Sequence, residues 1–229
     1  MRNISLNIPH ITQIGDECAP ASFVSVMSYF GSTIDLEALI KKSSKSCKFR
    51  DWDYILGTLA LKEGFDVTVH SRSLLIFDST WFKLERINLM RNLRNQRSYL
   101  EEISKSLPGF KRLEIEAKCA YKFLDSGGKI DFSPISKNLI TGYLKQNLPV
   151  IATFTSQLIF GIPKETSISK DPIRGEPWKH TVVIKGYRGD SFFVSDPARK
   201  GSTKEYPLQK DLLLDGIIRY DSNLVVISP

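Results

Sequence analysis

The chain has 229 residues, 41% of them hydrophobic and 25% charged, with a formal net charge of +7. That length and balance exclude a disordered chain and suffice for one buried core. The positive charge comes without a helix-turn-helix, zinc-finger or RNP pattern, so no nucleic-acid partner is expected, and no apolar run nears the roughly 20 residues of a membrane span.

The N-terminus, Met1 to Pro9, shows no long apolar stretch of the signal-peptide kind. Residues 17 to 30 then read as a first helix, with Phe23, Val24, Met27 and Phe30 at helical spacing and Gly31 as a stop. A short helix follows from Asp35 through Leu36, Leu39 and Ile40, and Ser43 to Ser46 reads as a loop. Asp51 is placed to cap a third helix carrying Ile55, Leu56, Leu59 and Ala60, which ends at Gly64. Phe65 to His70 alternates as a strand. Between residues 80 and 125 the pattern is helical and basic: Arg86, Arg91, Arg94 and Arg97 fall among Leu84, Ile87, Leu93, Leu100, Ile103 and Leu107. Such a stripe describes a solvated outer helix face as well as an acidic-partner surface. Leu139, Ile140, Tyr143 and Leu144 mark another helix, ended near Asn147 and Pro149, and Pro149 to Thr155 reads as a buried strand. Gly161 to Lys179 lacks periodicity, and a loop of that length is often functional. His180 to Tyr187 and Ser191 to Ser195 form a hairpin across Arg188-Gly189-Asp190, and Leu224 to Ser228 is a last strand. Helices first and an antiparallel sheet afterwards predict an α+β fold.

Three cysteines, Cys18, Cys47 and Cys119, are too few and too odd for a disulfide framework, which fits a reducing, cytoplasmic compartment. No Cys/His pair has zinc-ligand spacing and no phosphate-binding glycine loop is present, so neither metal nor cofactor is expected. Cys18 stands at the start of the first helix, where the helix N-terminus favours a thiolate. His180 opens one strand of the hairpin and Asp196 follows the other, so antiparallel pairing sets the two side by side. Cys18 as nucleophile, His180 as base and Asp196 as orienter make a workable thiol triad. The Cys18 backbone N–H and the Gln13 side-chain amide are the candidate oxyanion donors. Each residue alone has a plainer meaning: a lone cysteine is usually a small buried apolar group, and an aspartate before Pro197 commonly starts a turn. His10 and His70 read as structural, Cys47 as a loop residue and Cys119 as core.

Two blocks of sequence carry a resemblance. The first runs Ile8-Pro-His-Ile-Thr-Gln13, Asp16-Glu17-Cys18-Ala-Pro-Ala-Ser22 and Met27-Ser-Tyr-Phe-Gly31. The second runs Asn147-Leu-Pro-Val-Ile151, His180-Thr-Val-Val-Ile-Lys-Gly-Tyr187 and Phe193-Val-Ser-Asp196-Pro197. Together they resemble the C39-like cysteine peptidases, a papain-like group, over about half of the chain. The resemblance implies one papain-like domain over residues 1–229, with N-terminal helices holding the nucleophile against a sheet that bears His and Asp. It implies cleavage of an amide bond in a peptide or protein through a thioester, with Cys18, His180, Asp196 and Gln13 in the roles above. Two positions depart from the family pattern: Ala19 stands where glycine is usual, and Gln13 lies one residue closer to Cys18. Residues 72–134 have no counterpart in the blocks and are expected to be a helical basic insertion. An acyltransferase or transglutaminase-type reaction of the same triad, and a non-catalytic binding module on the same scaffold, are the alternatives.

Overall fold

The computed structural model describes residues 3–44, 52–166, 169–219 and 223–229. A short strand β1 (Ile4–Ser5) precedes helices α1 (Cys18–Tyr29), α2 (Leu36–Ser44) and α3 (Trp52–Lys62). Strand β2 (Asp66–His70) leads into the helical pair α4 (Arg86–Ser106) and α5 (Lys111–Asp125), then β3 (Lys129–Asp131) and α6 (Lys137–Lys145). There follow β4 (Val150–Thr155), α7 (Ser156–Phe160), β5 (Lys179–Arg188), β6 (Ser191–Ser195), β7 (Glu205–Gln209), α8 (Lys210–Ile218) and β8 (Leu224–Ser228).

Among the described residues the strands form one sheet in the order β3-β2-β8-β4-β5-β6-β7, and β1 pairs with the end of β5. The sheet is not wholly antiparallel as expected: β3 runs parallel to β2, because α4 and α5 lie between them as a crossover. Strand β5 is the spine. It pairs with β4 from Lys179 to Ile184 on one edge and with β6 from Val183 to Arg188 on the other, with a bulge between Ile184 and Gly186. Where β4 stops, β1 takes its place, Ser5 opposite Gly186. A side chain at 186 would sit 2.2 Å from the Ile4 carbonyl oxygen, so only glycine lets the two backbones meet.

One continuous core joins helices and sheet, from Phe23, Val26 and Met27 of α1 to Val182 and Ile184 of β5 and Leu93 and Leu100 of α4. Helix α1 is buried almost all round, Ala19 through Met27, and such a helix is held by packing on every side. Its small residues let it lie close to the sheet: the Ser22 hydroxyl donates to the Thr181 carbonyl at 3.2 Å. That bond, one turn past Cys18, ties the start of α1 to the stretch of β5 that begins at His180.

Several local readings need correction. The stretch 80–125 is helical as read, and it divides into α4 and α5 because Pro108 forces Leu107 into extended backbone (φ −124, ψ 90). Helix α2 runs on through Ser44, where a loop was expected, with Lys41 and Lys42 favourably placed in its last turn. Strands β1, β3 and β7 and helices α7 and α8 had no sequence reading. Residues 45–51, with Cys47 and the expected Asp51 cap, lie outside the described residues, and Cys119 is partly buried against the core. The stop after α6 behaves as read: Asn147 takes the left-handed conformation (φ 61), and the N–H of Leu148 returns to the Tyr143 carbonyl.

Candidate active site

Cys18 is the first residue of α1, and Pro20 sits within its first turn, where a missing N–H costs nothing. His180 is the second residue of β5, facing Phe154 of β4 across the ladder. Asp196 follows the last residue of β6. The structure therefore brings together, from a helix start and two strand ends, three residues far apart in sequence.

His180 is buried, and its Nε2 donates to Asp196 Oδ1 at 2.8 Å. With Nε2 so engaged, Nδ1 is the nitrogen left for Cys18, whose side chain is near enough to raise the ring's pKa. Burial pulls the His180 pKa down, but the hydrogen bonds and charges of Asp196 and Cys18 outweigh it and raise it to about 9. The balance of these effects favours the protonated ring at neutral pH. Its ring is walled by Phe154 and Phe160, both edge-on, at 5.8 and 6.1 Å between ring centroids.

Asp196 is 1% exposed and still ionised, because every lone pair is served. Oδ1 also accepts the Ala198 N–H at 2.9 Å, and Oδ2 accepts the Tyr206 hydroxyl at 2.7 Å, with Arg199 Nε 3.3 Å away. Burial pushes the carboxyl up, yet these donors and the His180 charge hold it below its ordinary range. The Tyr206 hydroxyl is driven far up, first by burial and then by the Asp196 charge, so it remains a donor.

His10, read from sequence as structural, belongs to this neighbourhood. Its Nε2 donates to the Arg199 carbonyl at 3.0 Å, which leaves Nδ1 to accept from the Ser195 hydroxyl at 3.1 Å. It thereby spans the turn that holds Asp196, and the Gln13 N–H donates to the Pro197 carbonyl beside it. The missed residues here are His10, Arg199 and Tyr206. Only Arg199, three places after Asp196, had a local sequence signal.

The two candidate oxyanion donors have internal partners. Gln13 Nε2 donates to the Gly15 carbonyl at 2.5 Å, while its Oε1 is buried without a partner. The Cys18 N–H donates to the Asp16 carbonyl at 3.0 Å. Both acceptors lie in one turn, closed by Glu17 N–H to the Ile14 carbonyl, with Gly15 at φ 55. A second Gln13 amide hydrogen remains for another acceptor. Among the described residues no group of three or more His, Cys, Asp or Glu is placed to hold a metal ion, and no helix is long and apolar enough to cross a membrane.

The sequence model of the Peptidase_C39 like family matches residues 82–216, which takes in His180 and Asp196 along with α4 and α5, and leaves Gln13 and Cys18 outside the match. The fold is similar to the crystal structure of a candidate C39-like peptidase from Bacillus anthracis, at TM-score 0.54 and 12% identity, covering 100% of this chain and 98% of that one. A second similar structure is the peptidase domain of Streptococcus ComA, a bi-functional ABC transporter involved in a quorum-sensing pathway, at TM-score 0.43 and 16% identity, covering 99% and 98%. No curated protein matches the chain.

Proposed function

Since the chain belongs to the C39-like peptidase family, we propose that it is a cysteine peptidase whose triad is Cys18, His180 and Asp196. The observation that carries this reading is the buried His180 ring, bonded to Asp196 at 2.8 Å through one nitrogen, with the Cys18 side chain near enough to raise its pKa. A histidine charged at neutral pH beside a sulfur supplies both the counter-ion for a thiolate and the acid for a leaving amine.

In this reading Cys18 Sγ attacks the carbonyl carbon of a peptide or protein substrate, and the carbonyl electrons move to oxygen. His180 gives its proton to the leaving nitrogen, the C–N bond breaks and a thioester remains on Cys18. The now neutral His180 takes a proton from water, which attacks the thioester and frees the acid. Asp196 keeps the ring oriented throughout. The oxyanion is met by the Cys18 N–H, released from Asp16, and by the free amide hydrogen of Gln13.

Digestion of a complex peptide library, read by mass spectrometry, tests the proposal. Wild type is expected to generate new termini, and Cys18→Ala to generate none while keeping its circular dichroism spectrum and melting point. Full cleavage by Cys18→Ala would sink the assignment.

A further inference from the structure

Arg199 is not required by the triad, and its surroundings give it a task. Its Nε lies 3.3 Å from Asp196 Oδ2, and its backbone carbonyl is pinned by His10 Nε2. The guanidinium lies 4.1 Å from the Tyr206 ring centroid and 5.5 Å from that of Phe160. Phe160 in turn packs against the His180 ring. Three contacts thus fix the plane of a side chain that stays 40% exposed, and its terminal nitrogens make no hydrogen bond among the described residues. A guanidinium oriented in this way, with donors left over, is suited to bidentate binding of a carboxylate.

Charge balance points the same way. The Cys18 thiolate of the proposed reaction balances His180, and Arg199 balances Asp196. The loop that continues from it, Pro197 to Lys204, adds Lys200 and Lys204 and contains no acid. Direction follows from the chemistry of the proposed reaction. His180 must protonate the leaving nitrogen, so the leaving segment lies over His180. Asp196 sits on the ring's far nitrogen, with Arg199 beside it.

Resting on the peptidase reading, we propose that Arg199 is a specificity-determining residue that binds a carboxylate on the leaving-group side of the scissile bond. The favoured substrate is therefore a peptide with an acidic group just C-terminal to the cut.

Two reagents test the anion site without any turnover. Iodoacetate and iodoacetamide alkylate the same sulfur and differ in charge, so their rate ratio at Cys18 cancels the reactivity of the thiol itself. Peptide-resolved mass spectrometry separates Cys18 from Cys47 and Cys119. The iodoacetate preference is expected to fall roughly five-fold in Arg199→Gln, as one lost charge several ångströms away implies, to fall further in Arg199→Glu, and to persist in Arg199→Lys. A ratio that is the same in wild type and Arg199→Glu overturns the site. Amidated peptides with Asp after the cut, compared with peptides ending there in a free carboxylate, show which carboxylate is read; wild-type cleavage indifferent to both also overturns it. The peptidase reading fails by a different result: Cys18 alkylated with the Arg199-dependent ratio while no peptide in the library is cut.

Discussion

Asp196→Asn removes the charge that keeps His180 protonated while leaving an oxygen of nearly the same shape. Raising an imidazole from 6.5 to about 9 corresponds to about 3 kcal/mol of preference for the charged form. At pH 7 the neutral fraction of His180 is then about 1%, against about 75% for an imidazole at its ordinary value. The amide cannot supply the charge, and burial acts alone against the remaining Cys18 interaction, so the midpoint is expected to fall well below 9. The molecule carries only three histidines, His10, His70 and His180, so ring C–H resonances followed by NMR through pH 5 to 10 resolve each titration. In wild type one resonance should move near pH 9, and in Asp196→Asn the same resonance should move at a clearly lower pH. The alkaline limb of peptide cleavage should shift with it. Stability follows the sign of a raised pKa. The contribution is complete below pH 6.5, shrinks as pH rises and is gone above about 9. Urea unfolding of wild type should therefore show a loss across this window that Asp196→Asn largely lacks. A wild-type His180 that titrates near 6.5, or a midpoint that Asp196→Asn leaves near 9, would refute the reasoning.

Three further outcomes are expected. Tyr206→Phe deletes a 2.7 Å donor to a buried carboxylate, a bond to a charged group worth about 1.5–3 kcal/mol; urea unfolding should show that loss, and the His180 midpoint should shift. His70 is fully buried, donates or accepts at Tyr143 through Nε2 at 2.8 Å, and has no partner on Nδ1, with Asp131 Oδ2 at 3.9 Å. Burial lowers its pKa more than Asp131 raises it, so its contribution is present above pH 6.5 and lost as pH falls through its folded value; His70→Gln should flatten the acid side of the stability profile, and an unchanged slope contradicts this. Gly186→Ala places a methyl 2.2 Å from the Ile4 carbonyl oxygen and 2.9 Å from Ser5 Cα; it should release β1, seen as fast amide exchange at residues 4–6, with a loss of about 1–3 kcal/mol.

What could be read from the sequence was what local chemistry determines. Helix α1 was visible because Phe23, Val24 and Met27 repeat at helical spacing, and β5 because the apolar residues Val182, Val183 and Ile184 follow His180 and Thr181. The adjacency of His180 and Asp196 followed from the hairpin, since antiparallel pairing across residues 188–191 returns the chain to its start. Strand β7, Glu205–Gln209, was not visible: it is an edge strand interrupted by Pro207, and only its pairing with β6 makes it a strand. The parallel β2–β3 pair depends on contacts across more than fifty residues, with three-residue β3 too short to show alternation. His10 escaped for the same reason. Its partners, Ser195 and Arg199, are 185 and 189 residues away, and nothing near it in the chain says so.

The short spacing between Gln13 and Cys18 has a consequence for how the site would work. Four residues separate them, and the turn at Gly15 folds those residues so that their own carbonyls reach both candidate donors. An internal acceptor does not disable a donor. The Asp16 carbonyl is neutral, whereas the oxygen of a tetrahedral intermediate is charged, and a charge-assisted hydrogen bond is about twice as strong as a neutral one. The exchange from Asp16 to the oxyanion therefore becomes favourable only when charge appears on the substrate. Gln13 need not exchange at all, because its amide can hold Gly15 with one hydrogen and offer the other. Its N–H to Pro197 anchors it to the Asp196 turn, which His10 braces from the other side. The donor loop and the orienting aspartate thus share one support, so a change that loosens the turn at residues 195–199 should disturb both the His180 orientation and the oxyanion side of the cleft.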